Sequence, residues 1–99
     1  MATIEETVIR PALEFGPVLT SRSTAELLRR RIENEALSGA HVTVDFAGVE
    51  AVSPSFADEI FAKIDHELVD SGHIRFENLS DDLLALVRFV VSGRQERSA

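Results

Sequence analysis

Residues 42–59, VTVDFAGVEAVSPSFADE, constrain the fold of this chain more than any other segment. They join an alternating apolar strand to an amphipathic helix through a turn and a loop that contains Ser53, Pro54 and Ser55. A loop that enters a helix presents its hydroxyls beside free backbone N–H groups and the positive end of the helix dipole. Such a position suits an anion, or a serine that becomes phosphorylated. The segment therefore predicts a strand–helix unit with a switch or a docking surface at the loop.

Period-two alternation of apolar residues predicts further strands on both sides of this segment. Strands are expected at residues 41–46 and 74–77, and a short edge strand at residues 7–10 that ends at Pro11. Gly16 and Pro17 interrupt the pattern of residues 14–20. Those residues fit either the second strand of a hairpin or part of one irregular strand.

Three amphipathic helices are predicted from apolar residues at three- and four-residue spacing. The first begins at a capping box that opens at Ser23 and ends at residues 38–39. The second begins at Ser55, taken as its N-cap, and extends to about residue 70. The third follows an N-cap at Ser80 and stops at residues 92–93.

Strands separated by helices predict parallel pairing through right-handed crossovers. The expected fold is α/β, with a small mixed, mostly parallel sheet of about three to five strands and three helices mainly on one face. We expect one domain over residues 1–93 and a flexible tail over residues 94–99. The helix-opening loops at residues 21–23, 53–55 and 80 should share the sheet edge where such folds place their sites.

The acidic composition argues against several function classes. The net charge of -7 disfavours binding to duplex nucleic acid or to an anionic membrane surface. The absence of cysteine excludes disulfides and thiolate chemistry. The first ten residues lack the basic-then-apolar order of a signal peptide, so we expect a cytoplasmic location.

Catalytic and metal-binding motifs are also missing. The chain has no phosphate-binding glycine loop, and its three histidines do not follow a metal-ligand spacing. His66 lies about 16 Å along the predicted helix from Ser55, at ~1.5 Å per residue, which rules out their hydrogen bond in a hydrolase triad. These features argue against a serine hydrolase, and we expect no metal and no cofactor.

Residues 42–59 and the order of elements around them resemble the STAS domain, a family that includes bacterial anti-sigma factor antagonists and the cytoplasmic tails of sulfate transporters. The matching features are the strand-ending Asp45, the turn at residues 49–52 and the helix-opening Ser55. The sequence SPSFADE at residues 53–59 is closer to a group of STAS-like domains whose function is uncharacterised. Two positions depart from the antagonists, because Ser53 replaces an acidic residue and Phe56 replaces a glycine.

This resemblance implies a non-enzymatic regulatory module of bacterial signalling that binds a protein partner. In the antagonists the partner is a kinase related to histidine kinases, which phosphorylates the helix-opening serine and is then released. Ser55 takes the position of that phosphoacceptor, and Ser53 is a second candidate. The residues alone favour a plainer role for Ser55 as a helix cap, and the two roles are compatible.

The expected partner surface consists of the second helix and the serine loop. Its exposed members are predicted to be Phe56, Asp58, Glu59 and Lys63.

Two further residues are expected to support this loop. Arg22 should share its edge with Ser55 and either pair with Asp45 or hold a phosphate. Asp45 is expected to accept hydrogen bonds from loop backbone N–H groups.

Two alternative functions remain open at this level. The first is constitutive assembly into a homodimer through an edge strand near Val8 or Val18. The second is a small-ligand or nucleotide site at the shared edge of the sheet.

Overall fold

The computed structural model describes the backbone of residues 5–98 and the side chains of residues 5–93. It contains five strands: β1 Glu6–Ile9, β2 Val18–Leu19, β3 His41–Asp45, β4 Ala51–Val52 and β5 Ile74–Glu77. Its α-helices are α1 Pro11–Phe15, α2 Arg22–Leu37, α3 Pro54–Ala57, α4 His66–Asp70 and α5 Asp81–Ser98. A π-helical segment, Asp58–Ala62, continues α3 directly. The predicted α/β class is confirmed, with more helices than the three expected.

The main sheet is parallel, with the strand order β1-β3-β5. Its register places Val42 between Thr7 and Ile74, and this row faces the helices. The next row along the strands contains Val8, which is 50 % exposed, and Arg75, so it faces solvent. Alternation within the strands therefore produced the predicted sheet with helices on one face.

The hairpin considered near the N-terminus does not form. Pro11 occupies the first turn of α1. An N–H group at that position would form no intrahelical hydrogen bond, so proline is tolerated there and residues 11–15 are helical. β1 then pairs with β3, and β2 pairs in parallel with β4 in a separate two-stranded sheet. The sequence pattern gave no indication of β4, because two residues are too few for alternation to be visible.

The helix α2 buries the predicted stripe of Ala25, Leu28, Ile32 and Ala36. Its N-cap is Ser21, whose hydroxyl accepts a hydrogen bond from the Thr24 N–H at 3.2 Å, and the prediction of a cap at Ser23 is wrong. The helix begins earlier because Ser21 is the residue with extended backbone angles.

The predicted second helix is interrupted. Its first part ends after the π-helical segment, and α4 starts separately behind an N-cap at Asp65. The Asp65 carboxylate accepts from the Glu67 N–H at 3.0 Å, while its own N–H donates to Glu33 of α2 at 2.8 Å. This hydrogen bond to α2 stabilises the break between the two helical parts.

The last helix has the predicted start and a different end. The Ser80 hydroxyl caps α5 by accepting from the Leu83 N–H at 3.1 Å, as predicted. The stop predicted at residues 92–93 is wrong because the helix continues through Gly93 to Ser98. An interior glycine lowers helix stability by about 1 kcal/mol without breaking the helix. The flexible tail was predicted over residues 94–99. Ala99 and the side chains of this range lie outside the described residues, so the flexibility of the tail stays a prediction.

One apolar core lies between the main sheet and the helices. Phenylalanine rings form its centre: the centroid of Phe61 is 5.4 Å from that of Phe46 and 4.8 Å from that of Phe76. The core joins β3, β5, α2, the π-helical segment and α5. It thereby fixes the position of the serine loop, which lies at the start of α3.

Candidate functional site

The serine loop is anchored through Ser53. Its hydroxyl accepts a hydrogen bond from the Phe56 N–H at 3.1 Å and donates one to the Thr20 carbonyl at 3.0 Å. Ser53 is therefore the N-cap of α3, and the prediction that Ser55 is the cap is wrong. Pro54 occupies the first helical position, which moves the start of the helix two residues back from the predicted one.

Ser55 lies in the first turn of α3 and is half-buried. Its hydroxyl makes no hydrogen bond with any residue in the part of the chain that the structure describes. The side chain lines a groove of about 210 Å³ together with Arg22, Asp58 and Phe89. We call this the Ser55 groove; the described residues that line it are Arg22, Pro54, Ser55, Asp58, Phe89, Val90 and Gly93.

Two residues predicted to be exposed on the partner surface are buried. Phe56 is inaccessible to solvent and Glu59 is 2 % exposed, so the expectation that they face solvent is wrong. Phe56 is buried because the helix begins at Pro54, which turns the third helical position towards the core. Glu59 is buried because the wider π-helical turn places Glu59, Ile60 and Phe61 together below the surface.

The Glu59 carboxylate is surrounded by three cations. It is 2.6 Å from the Lys63 ammonium, 3.0 Å from the Arg22 guanidinium and 3.4 Å from the Arg29 Nε. Burial raises the pKa of Glu59, but hydrogen bonds from Lys63 and Arg22 outweigh it and hold the pKa below its usual value. The carboxylate is therefore ionised and joins α2 to the π-helical segment.

Of the other two predicted members of the partner surface, Lys63 is exposed and Asp58 is only partly exposed. The Asp58 side chain is 15 % exposed and contacts Arg22 at 3.2 Å. The Lys63 side chain is 35 % exposed, although its ammonium is held by Glu59. Arg22 thus pairs with Asp58 and Glu59, and the suggested pair with Asp45 is not formed.

Asp45 supports the carboxyl end of the main sheet, away from the Ser55 groove. It accepts hydrogen bonds from the Ala47 N–H at 2.9 Å and the Asn78 side-chain amide at 2.7 Å, and it lies 3.5 Å from Arg10. The predicted role as an acceptor for loop N–H groups is confirmed. The hydrogen bonds from Asn78 and Ala47 lower the pKa of Asp45.

The predicted common edge is formed in part. The hydrogen bond from Ser53 to Thr20 brings the first two serine loops together. Ser80 instead lines a second opening of about 200 Å³, the edge pocket, whose lining is Phe46, Val49, Glu50, Ala51, Val52, Asn78, Ser80, Asp82, Leu83 and Leu86. Among the described residues of this lining there is no lysine, arginine or histidine, so they offer no cationic side chain to the phosphates of a nucleotide.

The sequence reasoning missed Phe89 as a surface residue. Phe89 on α5 is 72 % exposed and lines the Ser55 groove. The signal was present in the sequence, because the inward stripe of α5 contains Leu83, Leu86 and Val90 and leaves Phe89 outside it. A large exposed aromatic side chain beside charged groups is typical of a protein-binding surface.

Metal-binding groups do not gather in the described part of the chain. Among residues 5–93 no three histidine, aspartate or glutamate side chains lie close enough to hold an ion. None of the described helices combines the length and the apolar character that crossing a bilayer requires.

Comparison with known proteins identifies the family. The profile of a family described as STAS-like domain of unknown function (DUF4325) matches residues 24–84, which contain most of α2, the main strand β3, the serine loop and the start of α5. No curated protein and no solved structure matches the chain. Since the match covers more than half of the chain, this protein belongs to the STAS-like domain family DUF4325.

Proposed function

We propose that this chain is a non-enzymatic regulatory module that binds a protein partner at the Ser55 groove and releases it when Ser55 is phosphorylated. Membership in a STAS-like family supports the regulatory part of the proposal. The observation that carries the switch is the difference between the two loop serines. Ser53 uses its hydroxyl as donor and acceptor, whereas the Ser55 hydroxyl has no hydrogen-bond partner among the described residues.

Phosphorylation of Ser55 leaves the fold intact and changes the groove. The Ser55 hydroxyl forms no hydrogen bond with a described residue, so its modification breaks none. The phosphate adds a charge of about -1.5 to -2. That charge would lie in a groove that already contains Arg22 and Asp58. A partner that fits the unmodified surface is then repelled by the phosphate, or loses its contacts when Arg22 turns towards the phosphate. In either case the partner dissociates.

The corrected partner surface combines charge with an apolar anchor. Phe89 supplies the exposed aromatic side chain that had been expected from Phe56. Asp58 lies in the same groove, and Lys63 is accessible on the following turn. Aromatic residues at the centre of such surfaces carry a large share of the binding free energy. The proposed partner is an ATPase related to histidine kinases, acting in the bacterial cytoplasm.

The phosphoacceptor is tested in protein isolated from its own cells. We expect phosphate-affinity electrophoresis to separate a modified form of the wild type and of Ser53→Ala, and to show none for Ser55→Ala. Ser53→Ala is the matched control, since it changes the neighbouring hydroxyl of the same loop. A modified band that persists in Ser55→Ala would overturn the assignment of Ser55.

The Ser55 groove is tested by comparing how well several variants capture one partner protein. We expect Phe89→Ala and Ser55→Glu to lower capture of the kinase-like ATPase at least tenfold, measured by quantitative mass spectrometry. Leu37→Ala should not change it, because Leu37 is 68 % exposed at the far end of α2 and lies outside the groove. Equal capture by Phe89→Ala and wild type would contradict the proposed surface.

A further inference from the structure

The edge pocket is separate from the Ser55 groove and has the shape of a small-molecule site. It lies between the end of β3, the residues around β4 and the first turns of α5. Its inner wall is apolar, formed by Phe46, Val49, Val52, Leu83 and Leu86. Concave sites with an apolar wall and a few polar groups are the usual form of ligand pockets.

The charged groups among the described lining of this pocket are two carboxylates. Glu50 and Asp82 both line it, and neither carboxylate has an ion pair or a hydrogen bond with another described residue. The buried Glu59, by contrast, contacts three cations. The Asn78 amide nitrogen already donates to Asp45, which leaves its carbonyl oxygen available as an acceptor.

The helix dipole does not reverse this charge. The N-terminus of α5 contributes about half a positive charge. Asp81 and Asp82 in the first turn each contribute a full negative charge, and Glu50 adds a third. The mouth of the pocket is therefore negative, and it repels phosphate groups and other anions.

We propose that the edge pocket binds a small organic cation, with an ammonium or guanidinium group between Glu50 and Asp82 and an apolar body against the inner wall. The volume of about 200 Å³ holds roughly seven water-sized groups. It lies below the range of about 300–1,000 Å³ that is typical of drug-sized ligands. The ligand is thus a compact amine rather than a nucleotide, and its binding does not depend on Ser55.

Three probes of the same shape test the charge requirement. Benzylamine is a cation at neutral pH, benzyl alcohol is neutral and benzoate is an anion. In backbone amide NMR titrations of the full chain, we expect benzylamine to give saturable shifts confined to residues 49–52 and 78–86. Benzyl alcohol should bind at least fivefold more weakly, and benzoate should give no saturable shift. Equal affinities for benzylamine and benzoate, or shifts spread over the whole chain, would overturn the proposal.

Variants that neutralise single carboxylates identify the residues that bind the cation. Glu50→Gln and Asp82→Asn should each weaken benzylamine binding about threefold to tenfold, because each removes one partly solvated charge pair. Asp70→Asn is the matched control, since Asp70 is an exposed carboxylate on α4 that does not line the pocket. All these side chains are exposed, so the variants should keep the fold. Unchanged affinity in both pocket variants would show that the carboxylates do not bind the cation.

Discussion

Glu59 shows how far the environment of a single residue can differ from what its type indicates. A glutamate in a helix is ordinarily solvated, and this side chain is 3 % exposed. A buried carboxylate is tolerated only when cations and hydrogen bonds replace its water. Here Arg22 and Arg29 come from α2, and Lys63 lies one turn further along the chain. The residue therefore acts as an ionic link between elements rather than as a surface contact.

Removal of this charge should destabilise the protein. We expect Glu59→Gln to lower the free energy of unfolding by about 2–3 kcal/mol, because three cations lose their common partner while remaining partly solvated. Glu26→Gln is the control, since Glu26 forms an exposed pair with Arg30 and should change stability by less than about 0.5 kcal/mol. Urea unfolding at pH 7 measures both. Similar losses in the two variants would contradict the role of Glu59.

The same residue should contribute to acid sensitivity. The folded-state pKa of Glu59 lies below its usual value, so its stabilisation is complete above about pH 4.5 and is lost as the pH falls through the folded-state pKa. The stability of the wild type should therefore fall more steeply than that of Glu59→Gln as the pH drops below about 4.5. Parallel pH profiles of the two proteins would show that Glu59 is not the titrating group.

At the scale of elements, the segment from Pro54 to Asp70 determines the site. A continuous helix was expected there, and the structure has α3, a π-helical segment and a separate α4. The π-helical hydrogen bond from the Lys63 N–H to the Asp58 carbonyl is 3.0 Å long. Segments of this kind are frequent at functional sites. This one buries Glu59 and leaves Asp58 in the Ser55 groove.

The cap of this segment can be separated from the proposed phosphoacceptor by stability measurements. Ser53→Ala should lower the free energy of unfolding by about 1–2 kcal/mol, because it removes the cap of α3 and the hydrogen bond to Thr20. Ser55→Ala should stay within about 0.5 kcal/mol of the wild type, as expected for a hydroxyl without a described partner. A larger loss in Ser55→Ala than in Ser53→Ala would reverse the roles given to the two serines.

At the scale of the whole molecule, one core supports both sheets and all the helices that position the site. The chain has 99 residues and no cysteine, so this core is the main source of its stability. A domain of this size typically has about 5–15 kcal/mol of net stability. Large losses in the core should therefore affect the Ser55 groove and the edge pocket together.

A pair of substitutions on α2 tests this dependence. Ile32 is inaccessible to solvent, and Ile32→Ala should lower the free energy of unfolding by about 2–4 kcal/mol through lost burial and a new cavity. Leu27 is 71 % exposed on the same helix, and Leu27→Ala should change it by less than about 0.5 kcal/mol. Denaturant unfolding followed by circular dichroism measures both. Equal effects would mean that α2 does not pack as the structure has it.

The sequence by itself determined the class of fold, the main strands β3 and β5, the inward stripe of α2 and the cap at Ser80. These features follow from local periodicity and capping chemistry, which depend on residues a few positions apart. It also carried the likeness to STAS-like domains.

Only the tertiary structure decided which residues of the serine loop face the core, which hydroxyl is engaged and which carboxylate is buried. Phe56 and Glu59 are buried, and Ser53 is held by Thr20, which lies 33 positions away in the chain. These outcomes depend on a π-helical turn and on contacts between α2, α3 and α5. No local pattern encodes them, because the partners come together only when the core forms.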